Sequence, residues 1–117
     1  MGLTVAELNA MLDARTYNGI SLHTADPSTT GANEVSGGAY ARATGLTFGA
    51  ASNGRRTCST QPTIDVPAGA TVAFIGLWNS STFVGSFNAT DEVFAAAGTY
   101  TVTGPGGTGN PYVELTA

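Results

Sequence analysis

The run 70–79, Ala-Thr-Val-Ala-Phe-Ile-Gly-Leu-Trp-Asn, constrains this chain more than any other segment. In an extended strand Val72, Phe74, Gly76 and Trp78 share one face, while Ala73, Ile75 and Leu77 share the other. A strand that is apolar on both faces must be covered on both sides. The run therefore predicts a central strand, covered by an opposite sheet and by the helix described below.

The sequence around it has the texture of short strands and tight turns. Apolar and polar residues alternate in Ile20-Ser21-Leu22-His23, placing Ile20 and Leu22 inward and His23 outward. Further strands are predicted at 45–50, 55–60, 63–66, 82–87, 92–94, 99–103 and 112–115. Ser52-Asn53-Gly54 is a strong hairpin signal, and Pro62 and Pro67 confine their neighbours to strand ends or sheet edges. The glycine-rich stretch 104–110 reads as a flexible hairpin loop. It lacks the lysine and the following helix that a phosphate cradle needs.

Thr4 and Glu7 form a capping-box pattern, with Leu3 and Leu8 placed as a hydrophobic staple. Val5, Leu8, Met11 and Leu12 fall on one face at spacings of three and four, predicting a helix over 5–14 docked on its own domain. Gly19, after Tyr17-Asn18, is placed to end it with a positive φ. At 117 residues, with 16 glycines, 42% hydrophobic and 10% charged residues, one domain over 1–117 is expected. The predicted fold is all-β: an antiparallel two-sheet β-sandwich with a short N-terminal α-helix.

Charge excludes several functions. The chain has no lysine, and Arg15, Arg42, Arg55 and Arg56 face eight carboxylates for a net charge of −4. Nucleic-acid binding needs a basic surface to displace counterions, so Arg55-Arg56 reads as a solvated edge or a protein contact. Cys58 is the single cysteine and has no internal partner. No run approaches the roughly 18 apolar residues of a membrane span, and the N-terminus lacks a secretory pattern. A soluble product made in the cytosol is expected. His23 with Asp26 is the one acid/base pairing in reach, but no nucleophile stands beside it, and the histidine reads as bonding within its own loop. Asp26 and Glu34 lack the ordered carboxylate spacing of a calcium loop. No catalytic group, metal or cofactor is therefore expected.

Asp26-Pro27-Ser28 turns the chain into a long irregular loop through Gly38. This region carries Leu22-His23-Thr24-Ala25-Asp26-Pro27, Thr30-Gly31-Ala32-Asn33-Glu34-Val35 and Gly38-Ala39-Tyr40-Ala41-Arg42, followed by Phe48-Gly49-Ala50 and later by Gly76-Leu77-Trp78. In that order they resemble a family of small bacteriophage virion proteins, described as tail-fibre-like or minor capsid proteins, over about residues 3–100. The resemblance implies a structural part of a phage particle, located in the virion. The expected role is a minor capsid (decoration) protein that binds and stabilises the outer surface of the major capsid protein shell. The alternative is a tail-tip or tail-fibre-associated protein involved in host attachment. A carbohydrate-binding module is a third reading, but it would need an exposed aromatic platform, and Trp78 reads as internal. A homo-oligomer on the particle is expected. Asp26, Glu34, Tyr40 and Arg42 are the expected partner-binding residues, because long loops bearing Tyr and Arg commonly make contacts. Replacing Tyr40 and Arg42 is expected to leave the isolated domain's stability nearly unchanged.

Overall fold

The computed structural model describes residues 2–115. Helix α1 (Val5–Asp13) precedes strands β1 (Gly19–His23), β2 (Arg55–Thr57), β3 (Thr63–Val66), β4 (Thr71–Asn79), β5 (Thr82–Val93), β6 (Gly98–Thr101) and β7 (Tyr112–Glu114). The architecture is all-β, in antiparallel sheets, with one short N-terminal helix. β4 lies at the centre of a three-stranded sheet of order β1-β4-β5, and the remaining strands form two short ladders, β2-β7 and β3-β6. The material opposite the main sheet is thus divided between two ladders and does not form one continuous sheet.

One buried cluster joins the helix, the main sheet and the β3 ladder, through residues including Leu12, Ile20, Leu22, Ile64, Val66, Ile75, Leu77 and Val102. β4 is buried on both faces, as its composition requires. The cover on its second face is neither sheet nor helix. There the 24–43 loop closes over the sheet: a Cβ on Gly31 would lie 3.0 Å from the Trp78 ring.

That loop also corrects the expected orientation of His23, which is fully buried together with the rest of β1. Thr24 N–H donates to Asn33 O at 2.9 Å and Val35 N–H to Leu22 O at 2.9 Å, while Ile20 and Ala43 exchange bonds of 3.0 Å. The returning chain thereby covers the face on which His23 stands.

Other differences have local causes. Segment 45–50 is not a strand but is tied by a bridge from Phe48 to Cys58. Its carbonyls at Phe48 and Gly49 accept from the Arg56 guanidinium at 3.0 and 2.9 Å. The segments predicted at 82–87 and 92–94 are one strand, because β4 continues alongside the polar residues between them, pairing Phe74 with Asn88 and Val72 with Glu92. Stretch 104–110 does not close a hairpin: β6 pairs with β3 and β7 with β2, so it is a crossover containing a short 3-10 turn at Pro105–Gly107.

The helix begins as its cap predicts, with Glu7 N–H donating to Thr4 Oγ1 at 3.2 Å. It ends earlier than expected, on Ala14 in the right-handed region. Gly19 is instead the first residue of β1, where close approach matters more than turning: a Cβ there would lie 3.1 Å from that of Trp78. Leu8 and Leu12 of the stripe are buried, whereas Val5 and Met11 are about half exposed, at 51% and 46%.

The helix is docked on its own domain by polar bonds as well. Asp13 Oδ1 accepts from Ala51 N–H at 2.9 Å, and Arg56 donates to the backbone carbonyls of Leu12, at 3.3 Å, and Arg15. Arg56 thus brings a positive charge to carbonyls that a helix C-terminus leaves unpaired. The predicted 52–54 turn forms with Asn53 and Gly54 both at positive φ, 53° and 76°. Gly54 N–H donates to Asn9 Oδ1 at 2.9 Å, and Gly54 O accepts from Leu115 N–H at 2.8 Å.

Leu12→Ala should lower unfolding free energy by about 2–5 kcal/mol through lost burial and a residual cavity. Met11→Ala should stay within about 0.5 kcal/mol. Urea denaturation of the monomer measures both, and equal effects would refute this docking of the helix.

Candidate functional site

The loop face of the main sheet gathers the chain's densest polar network. Three side chains start it, Ser21 and His23 on β1 and Trp78 on β4, around the bare backbone of Gly76; Ser21 pairs with Gly76 and Gly19 with Trp78. Trp78 Nε1–H donates to Ser21 Oγ at 2.7 Å, and Ser21 Oγ lies 2.6 Å from His23 Nε2. His23 Nδ1 lies 2.8 Å from the carbonyl of Ala32.

The proton positions follow by elimination. A carbonyl only accepts, so His23 Nδ1 carries hydrogen, and the neutral ring's Nε2 then accepts from the Ser21 hydroxyl. Every donor in the chain Trp78–Ser21–His23–Ala32 has an acceptor. A charged imidazolium would turn Nε2 into a second donor onto Ser21 and leave the serine hydrogen without a partner. Burial, the largest influence, holds the His23 pKa below its ordinary value, against the opposing pull of the Ala32 bond and Glu34.

A second network lies above the first. Glu34 accepts from Arg42 twice, Nε to Oε2 and Nη2 to Oε1, both at 2.8 Å, and Tyr40 Oη donates to Oε2 at 2.7 Å. Tyr40 Oη in turn accepts from the Leu22 backbone N–H at 3.1 Å, a further bond between the loop and the edge of β1 away from β4. The Arg42 guanidinium stacks 3.5 Å from the centroid of the Trp78 ring, whose edge meets Phe83 at 5.2 Å between centroids. Burial opposes charge on Glu34, but the bonds from Arg42 and Tyr40 outweigh it and hold its pKa below the ordinary value. Burial raises the Tyr40 pKa, helped by Glu34.

Of the four expected partner-binding residues, the structure brings together Glu34, Tyr40 and Arg42. Asp26 stands apart and exposed. Its Oδ1 accepts from Ser28 N–H at 2.8 Å, and its carbonyl accepts from Asn33 Nδ2 at 3.0 Å, shaping the turn. Asp26 does not bond to His23. The clustered three bond to one another and to β1, so their loss should lower stability, against the expectation of no change. Trp78 is 6% exposed beneath Arg42, so it offers no open sugar-binding platform.

Sequence reasoning missed Ser21 and the function of Gly76. A Cβ on Gly76 would lie 2.4 Å from Ser21 Oγ and 2.6 Å from His23 Nε2. A lone glycine inside an otherwise apolar strand was the available signal, since it marks close approach by another group.

The chain matches the family described as Podophage GP4 fiber I protein gp80 over residues 8–103. It belongs to that family. Comparison with curated proteins and with solved structures gives no match. As a member of this fibre family the chain is a structural component of a bacteriophage virion, assembled in the host. The matched span contains β1, the loop and β4, and so both polar networks.

Two predictions follow from the networks. Arg42→Ala should cost about 2 kcal/mol and Tyr40→Phe about 1 kcal/mol in denaturant unfolding, the range for hydrogen bonds to a charged group and for an ordinary one. Unchanged midpoints would refute the fastening role. The second concerns pH. Unfolded His23 titrates near its ordinary 6.5, while the folded value is lower, so stability is constant above 6.5 and falls as the unfolded chain takes up the proton below it. Glu34 adds stability that is present above its ordinary 4.5 and is lost as pH falls through its lower folded value. The denaturation midpoint should therefore drop from about pH 7 to pH 5 in wild type and drop less steeply in His23→Gln. An equal slope in the variant would assign the titration to another group.

Proposed function

We propose that the protein is a tail-fibre-associated subunit that takes part in host attachment and acts by contact, not by catalysis. The observation that carries this reading is the match to a fibre family over residues 8–103. That description favours the tail alternative over the capsid decoration role expected first. The chemistry of the loop supports a contact function. Both nitrogens of His23 are engaged in the interior, and the Glu34 carboxylate is occupied by donors from Arg42 and Tyr40.

In this reading the 24–43 loop forms part of the contact with a neighbouring subunit. Glu34 and Tyr40 hold it in shape, whereas Asp26, which is exposed, and Arg42, whose side chain keeps 35% exposure, meet the partner. A loop fixed in advance loses less conformational freedom on binding.

Gold labelling of an affinity-tagged copy in purified particles tests the placement. Label at the tail is expected. Label spread over the head would overturn the proposal in favour of capsid decoration. Particles lacking the protein should adsorb to host cells about tenfold less, the change for about 1.4 kcal/mol of lost attachment energy.

A further inference from the structure

β5 is an edge strand. Its one strand neighbour is β4, so its other edge carries backbone groups outside any ladder among the described residues. β7 is likewise paired on one side alone, with β2. Between the two runs a groove of about 410 Å³, walled by residues 84–87 of β5 and by 112–115, which comprise β7 and the residue after it. Side chains of a strand point alternately to opposite faces, so a groove lying on one face would be lined by every second residue. Here four consecutive residues line it on each side. On the β5 side the bulge at Val84 interrupts that alternation, and the strand order identifies the walls as edges: β5 is paired with β4 alone and β7 with β2 alone.

The floor of the groove is apolar. Leu12, Tyr17 and Leu77, which belong to the buried cluster, line it. Its charged lining residue, Glu114, is already paired with Arg55 at 2.6 Å. Pro105, from the 3-10 turn, also lines the groove, and that turn packs against β5. Of the devices by which natural edges discourage pairing, the β5 wall has a bulge at Val84, but residues 82–90 hold no lysine, no proline and no charge.

We propose that this seam is a strand-acceptor site, filled in the virion by an extended, uncharged segment of a different virion polypeptide. Four residues on each wall correspond to a strand of roughly 13 Å. Such a segment would bond to one or both edges and lower alternate apolar side chains onto Leu12, Tyr17 and Leu77, the mode of recognition in which an added strand supplies affinity through its backbone. A second copy of this chain is the poorer occupant. Each of its strands is already paired on at least one side among the described residues, so one that kept its own ladder could bond to a single wall and could not fill the slot between both. The seam rests on the virion placement but not on the tail assignment.

The test uses full-length protein in phage particles. A photo-crosslinking amino acid at Val84, which is 40% exposed at the wall, should capture a neutral segment of another virion polypeptide, identified by mass spectrometry. Val84→Lys should lower incorporation about tenfold, since it places a charge beside an apolar slot, with the melting of the free protein unchanged. Met11→Lys, at a comparably exposed apolar site, should incorporate normally. Capture of a second copy, or normal incorporation of Val84→Lys without any crosslink, would overturn the proposal. Absence of the wild-type protein from purified particles would instead refute the virion placement.

Discussion

The bond chain from the Trp78 indole through Ser21 to His23 and on to the Ala32 carbonyl is the interaction on which the rest of the structure depends. It joins β4 to β1 through side chains in addition to the ladder, and it joins β1 to the loop. Without it the loop that covers the second face of β4 would be hydrogen-bonded to the sheet only along the edge of β1, at Ile20 and Leu22. Buried polar chains are worth having only when every member is satisfied. This one meets that condition: among the described residues no buried side-chain nitrogen or oxygen lacks a partner. The condition reaches back into β4, where only the absence of a side chain at Gly76 makes room for the two hydrogen-bonding groups.

The same logic explains why a chain with so few charges uses arginine and not lysine. Arg42 must stack on an indole while it grips both oxygens of Glu34, and Arg56 must reach four carbonyls in two separate stretches of chain. A planar fork with several donors meets both demands, and an ammonium group meets neither. Arg55 follows the pattern at the surface, bonded to Glu114 and lying 4.1 Å from the Tyr112 ring centroid. Each of the three guanidiniums combines an ion pair or carbonyl bonds with an aromatic neighbour. The acidic surface is what remains.

What was legible in the sequence was local. The helix cap, the Asn53-Gly54 turn, β3 and the two-sided burial of β4 follow from short-range patterns, and each forms at or within a residue of its expected place. What was not legible depended on partners distant in the chain. His23 alternates with Leu22 as an outward residue would, and nothing within β1 announces that residues ten positions later will close over it. Residues 45–50 carry a strand's composition, but their carbonyls are claimed by a side chain from β2. The candidate cluster was legible as a list and not as a geometry: Glu34, Tyr40 and Arg42 belong together, yet only the fold shows that they hold each other.

Gly54 has a mechanical consequence. Its amide is held by the N-terminal helix through Asn9, and its carbonyl by the residue that follows β7. A Cβ there would lie 2.7 Å from Leu115 O and 3.7 Å from Leu8 Cδ1, so the helix and the last described strand meet at a single point on the hairpin. Tension applied between the two ends of the domain would therefore be borne first by this latch and by the short β2-β7 ladder beside it. The main sheet and its buried relay lie outside that load path. A virion subunit under such a load would yield at its latch and reclose while its interior stays folded.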